Sequence, residues 1–114
     1  MPETIELNAP GRPRIKAWRM RDLAVHSVLA DDHKWTITHL PSGLHFGFYW
    51  PSRRMALYIM KAMYDMEQNW GIMKPFQIEA VSPALYKLFA ENHGRRFHFI
   101  PRIMSSKDGF NGYR

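Results

Sequence analysis

Two runs of alternating polarity, Trp35-Thr36-Ile37-Thr38-His39-Leu40 and Leu44 to Trp50, are separated only by Pro41-Ser42-Gly43. Thr, Ile and the aromatic residues suit a pleated surface, and alternation places successive side chains on opposite faces. Pro at the first central position of a turn and Gly where φ is positive are what a short hairpin loop requires. The segment therefore reads as a β-hairpin over 35–50. A two-residue loop pairs Leu40 with His45. It gathers Trp35, Ile37 and His39 beside Phe46, Phe48 and Trp50, and leaves Thr36, Thr38, His45 and Tyr49 opposite. A glycine bulge would instead pair His39 with His45. The first register is expected, because it collects more apolar area on one face.

Leu23 to Ala30 leans towards a strand ended by a turn at Asp31–Asp32, which makes residues 23–50 a three-stranded meander. Ser52 is a good N-cap for a helix whose stripe is Ala56, Ile59, Met60, Met63, Met66 or Glu67, and Trp70, with Gly71 at its end. A short strand over Gln77–Val81 and a helix over Pro83–His93 follow; Ser82 is its cap, Pro83 its first residue and Gly94 lies beyond its end. Phe97 to Ile103 reads as a strand that Pro101 confines to an edge. Ile15 to Arg21 fits a strand or a helical turn equally well. The expected fold class is α+β: a three-stranded antiparallel meander packed on a long helix, with a second short helix and a C-terminal edge strand. Residues 1–14 are expected to form a flexible basic arm, 15–104 a single domain and 105–114 a disordered tail.

Charge is unevenly distributed. Between Gly11 and Arg21 there are five basic residues and no acid, and between Arg95 and Arg114 there are five against Asp108 alone. The intervening stretch, Asp22–Gly94, holds six bases and seven acids, so the net charge of +6 resides in the two flanks. Ten of the sixteen basic residues are Arg, whose planar fork matches phosphate oxygens and base edges. Such flanks suit a polyanion, because each neutralised phosphate releases a condensed counterion. They also suit solubilising ends, as charge runs often are.

Chemistry-bearing motifs are missing from the chain. There is no cysteine, which removes disulfides, thiolate nucleophiles and cysteine-ligated metals. The six histidines form neither an H-E-x-x-H motif nor a His-x-x-x-His pair, so no metal or other cofactor is expected. Ser42 and Ser52 have turn and cap roles, and no glycine-rich phosphate loop occurs. No apolar run approaches the length of a membrane span, and no secretory signal pattern is present, which gives the expectation of a cytoplasmic protein.

Sixteen aromatic residues are more than so small a fold can bury, so Tyr49, Tyr58, Tyr64, Tyr86, Phe110 and Tyr113 are candidates for the surface. Exposed aromatics beside Arg suit base stacking or a protein interface. The expected function is that of a small non-enzymatic nucleic-acid-binding protein, for DNA or RNA. Arg12, Arg14, Lys16, Arg19, Arg21, Arg53, Arg54, Arg95, Arg96 and Arg102 would form its contact surface, with Thr36, Thr38, His45 and Tyr49 as weaker candidates from the sheet. Arg53 and Arg54 fall in the first helical turn, where unpaired backbone N–H groups also favour phosphate. The alternative is a protein-binding inhibitor or adaptor directed at an acidic protein surface, of the kind mobile elements use against host nucleoprotein machinery. Either reading is compatible with a homodimer. The nucleic-acid reading requires the cationic flanks to converge, with Arg53–Arg54 near at least one of them; if they scatter or are tied up by carboxylates, the protein-binding alternative moves ahead.

Overall fold

In a computed structural model, residues 2–7, 14–28 and 31–96 are described. The class is α+β, and the sheet is larger than a three-stranded meander. Strands β1 (Glu3–Leu7), β2 (Ile15–Met20), β3 (Leu23–Val28), β4 (Asp31–His39) and the two-residue β5 (Leu44–His45) run antiparallel in sequence order. The extra strands come from the N-terminus. Glu3–Leu7, expected within an arm, pairs with Ile15–Met20 from Glu3↔Arg19 to Leu7↔Ile15. The alternation of Ile15 to Met20 thus resolves as a strand, with Trp18 and Met20 on one face and Ile15, Ala17 and Arg19 on the other.

Arg21 and Asp22 form the two-residue connection between β2 and β3, and Arg21 takes φ 53. A positive φ at the first central position is what the right-handed twist of the flanking strands favours. The Tyr64 hydroxyl clamps this turn, accepting from the Asp22 N–H at 2.8 Å and donating to the Met20 carbonyl at 2.7 Å. Tyr64 is therefore buried rather than a surface aromatic. Asp31–Asp32 is not a turn but the start of β4, with Asp31 opposite Val28 beyond a register shift at Ser27/Val28.

The hairpin combines two registers. At its open end Trp35 and Trp50 are partners, each N–H bonding the other's carbonyl at 2.8 Å, as the expected pairing requires. At the turn the partners are His39↔Leu44 and Thr38↔His45, a slip of two residues from the expected Leu40–His45 pairing. Neither two-residue loop nor the His39–His45 alternative forms there. Gly47, at φ 78, lies in the irregular stretch that absorbs the slip. Because the slip is even, the alternation of faces is preserved across it. Ile37, Phe46, Phe48 and Trp50 accordingly share one core.

Helix α1 (Arg53–Met66) begins as its cap residue dictates, with Ser52 Oγ accepting from the Met55 N–H at 3.2 Å. Ala56, Ile59, Met60, Met63 and Tyr64 form its buried stripe. It ends at Glu67, before the expected Gly71, and Trp70 is buried from a separate 3-10 turn (Trp70–Ile72). The second helix, α2 (Pro75–Glu91), is the longer of the two and includes the segment expected as a strand over 77–81. Pro75, not Pro83, supplies the proline of its first turn, and the Gln77 side chain accepts from the Lys74 N–H at 2.7 Å. Pro83 lies in the helix interior. Ser82, expected as a cap, instead donates its hydroxyl to the Ile78 carbonyl one turn back, at 2.9 Å.

At its far end, His93 takes the left-handed conformation (φ 66) expected of Gly94, and the Gly94 N–H closes on the Phe89 carbonyl at 2.8 Å. Phe89 is the packing centre of α2. Its ring lies 5.1 Å from Phe48, 5.2 Å from Trp50 and 6.1 Å from Phe46 in tilted or edge-on contacts. Such pairs add about 0.5–1.5 kcal/mol each beyond the area they bury. Strand β7 (Arg95–Arg96) then pairs with β6 (Phe48–Tyr49) in a second, two-stranded sheet. The strand expected over 97–103 and the tail 105–114 lie outside the described residues.

Candidate nucleic-acid interface

Trp18 joins the N-terminal cationic flank to helix α1. It sits on the helix-facing side of β2, edge-on to Trp35 at 5.7 Å. Arg53, the first residue of α1, holds its guanidinium 4.4 Å from the Trp18 ring centroid, and the Lys16 ammonium lies 5.4 Å from the same centroid. Two cations from distant parts of the sequence thus share one indole, the arrangement that ring quadrupoles favour.

Concave surface lies beside the start of α1. A cavity of about 450 Å³ lies between the start of α1 and the β6–β7 corner; His33, Lys34, Tyr49 and Arg95 are on its walls. A second, of about 250 Å³, has Arg54, Tyr58, Ile59 and Asn92 on its walls. The two share Met55 and His93 and are therefore neighbouring parts of one groove. Arg95 is positioned by its ladder pairing with Tyr49 and by the close turn before it, where a Cβ on Gly94 would stand 2.7 Å from the Phe89 carbonyl oxygen. The Lys34 ammonium lies 5.4 Å from the Tyr49 ring centroid. Among the described side chains, no carboxylate pairs with Arg53, Arg54 or Arg95.

The remaining candidates lie elsewhere. Arg96, the neighbour of Arg95 on a two-residue ladder, lies 5.3 Å from Phe48 and 4.8 Å from Tyr86, stacked on the hydrophobic body. Arg14 pairs with Glu6 at 3.4 Å and Arg19 with Glu3 at 3.2 Å, and Arg19 also donates to the Arg21 carbonyl at 2.7 Å. Arg21 stacks over Tyr64 at 5.0 Å, and Tyr64 is eleven residues along α1 from Arg53, about 16 Å of helix at 1.5 Å rise per residue. Convergence of the flanks is therefore partial: Lys16 and Arg53 share Trp18, Arg54 and Arg95 border the groove, and Arg14, Arg19, Arg21 and Arg96 have other partners. Arg12 and Arg102, and the aromatic candidates Phe110 and Tyr113, lie outside the described residues.

Thr36 and Thr38 are not surface contacts. Both are buried; Thr36 donates to the Phe48 carbonyl at 2.7 Å, and Thr38 Oγ1 lies 2.7 Å from His26 Nε2. His39 is also buried. Its Nε2–H donates to the Trp70 carbonyl at 2.6 Å, and its Nδ1 accepts from the Ser42 hydroxyl at 2.7 Å. Burial holds the His39 pKa below the usual 6.5, against the opposing pull of the Trp70 carbonyl and the Asp22 charge. No group of three or more metal-capable His, Asp or Glu side chains occurs among the described residues. No described helix is long and apolar enough to cross a membrane.

Lys34, His33 and His93 were not candidates by sequence. Lys34 sits in the near-neutral centre of the chain, where charge distribution gives it no weight. Only the pairing of β4 with the Tyr49–Trp50 segment brings it to the groove.

Comparison with known protein families, curated proteins and solved structures found no match to this chain.

Proposed function

We propose that the protein binds nucleic acid without catalysing a reaction, through the groove bordered by Lys34, Arg54 and Arg95, together with the cations Lys16 and Arg53 held on Trp18. The observation that carries this reading is the groove itself, where Lys34, Arg54 and Arg95 and the rings of Tyr49 and Tyr58 line one recess. Cations neutralise phosphates and release counterions, while the rings offer stacking platforms. The binding set is narrower than the charge distribution alone implies, because Arg14 and Arg19 are engaged by Glu6 and Glu3.

The test is the salt dependence of binding to a fluorescent oligonucleotide. Affinity should fall steeply between 50 and 200 mM salt, roughly as expected for several phosphate contacts. Alanine at Arg54 and Arg95 together should flatten the slope by about two, one for each arginine that no longer neutralises a phosphate. Alanine at Arg14 should leave it unchanged.

A second reading, contact with a protein surface, is favoured by two exposed apolar side chains, Met66 at the end of α1 and Ile72 in the turn after it, at 46% and 78% exposure. A host protein retained on the immobilised chain after nuclease treatment, and released by Ile72→Ser, would support it.

A further inference from the structure

We infer that the groove beside α1 accepts a single-stranded segment of nucleic acid, with a base against Tyr58 and flanking phosphates on Arg54 and Arg95. This inference rests on the nucleic-acid reading above and adds the strandedness of the ligand.

The first argument is shape. Duplex DNA is read by a helix or ribbon that protrudes into a major groove about 12 Å wide. Here the cations border a recess, and stacked bases inside a duplex cannot enter one; a splayed base can. The joined cavities of about 450 and 250 Å³ are of the size that holds a small planar ligand.

The second argument is the order of side chains along α1. Arg54, Tyr58 and Lys61 stand at i, i+4 and i+7, which puts a cation, a ring and a cation on one helix face within about 10.5 Å of rise. Tyr58 is 65% exposed, and its ring makes no aromatic contact with another described residue. An aromatic ring left in water between two cations is what a sequence-tolerant stacking platform requires. Met55 and Ile59 beside it add apolar lining against which the face of a base can pack.

Fluorescence anisotropy with a labelled dT12 strand and a 12-base-pair duplex, at 50 mM salt, tests the inference. The single strand should bind at least tenfold more tightly than the duplex. Tyr58→Leu should weaken the single strand about five- to a hundredfold, the range of one base–aromatic stack. Tyr58→Phe should stay within about twofold of the parent. Since Tyr58 is largely in solvent, thermal melts of both variants should match the parent, which separates impaired stacking from impaired folding. Equal or tighter binding of the duplex, or an unaffected Tyr58→Leu, would overturn the single-strand inference while leaving the nucleic-acid reading intact. Failure of both probes to bind would overturn the two together.

Discussion

Arg53 stands over Trp18 with its guanidinium 4.4 Å from the indole centroid, so the first residue of helix α1 is tied to the second strand of the sheet. Cation–π contacts of this kind contribute about 0.5–1 kcal/mol at exposed sites. Arg53→Ala should therefore lower unfolding free energy by about that amount in urea titrations, with Arg53→Lys intermediate. If Arg53 also meets a phosphate, the same alanine variant should reduce the salt slope of oligonucleotide binding by about one. An unchanged slope would assign Arg53 a purely structural role.

Tyr64 serves the opposite end of α1. Its hydroxyl satisfies both the Asp22 N–H and the Met20 carbonyl, and burial raises its pKa above 10.0, against the backbone hydrogen bonds that pull it down. Tyr64→Phe keeps the ring and strands two backbone groups, so it should cost about 1–3 kcal/mol. Thermal denaturation of the variant measures this; a cost below about 0.5 kcal/mol would mean that water replaces the hydroxyl.

The buried His39 makes stability depend on pH. Its folded pKa lies below the ordinary 6.5, so as pH falls the unfolded chain takes up this proton before the folded one does. The stabilisation is fully present above pH 6.5 and disappears as pH falls through the folded value. Melting temperature should drop on going from pH 7.5 to pH 5. His39→Gln should be less stable at neutral pH, yet show a shallower fall over the same range. Parallel curves for the two proteins would show that other groups carry the acid response.

Pro83 occupies a position in α2 where any other residue would donate an N–H to the carbonyl four residues back, that of Glu79. Interior proline costs a helix up to about 3 kcal/mol relative to alanine. Pro83 is not buried, so Pro83→Ala creates no cavity and should stabilise the protein, by about 1–3 kcal/mol in urea titrations. A destabilised variant would mean that the break in the hydrogen-bond ladder accommodates packing around Leu85 and Phe89.

Signals that act over a few residues are legible in the sequence. Ser52 caps the helix it is expected to cap, and the faces of the 35–50 hairpin follow from its alternation although its turn slips by two residues. Where a proline has two roles open to it, the local rule misleads: Pro83 resembles a helix start because Ser82 precedes it, while tertiary packing of Ile78, Leu85 and Phe89 carries the helix through. The strand at Glu3–Leu7 is obscured because its residues carry little apolar signal; Leu7 is its one buried residue, and its order comes from pairing with β2. For the candidate site, charge distribution identifies Arg53, Arg54 and Arg95 but cannot separate them from Arg14 and Arg19, whose carboxylate partners lie eight and sixteen residues away in sequence.

Those two ion pairs give the N-terminal strand a further property. Glu3 and Glu6 stand on β1, one of the two edge strands of the sheet among the described residues, and each is matched by an arginine from the segment that follows. A flat apolar border would be a template on which another molecule's backbone could crystallise into fibrils; charged side chains along the border make that growth unfavourable. Two of the arginines offered by the sequence as ligand-binding groups would then serve colloidal stability, keeping neighbouring copies of the sheet from zipping together.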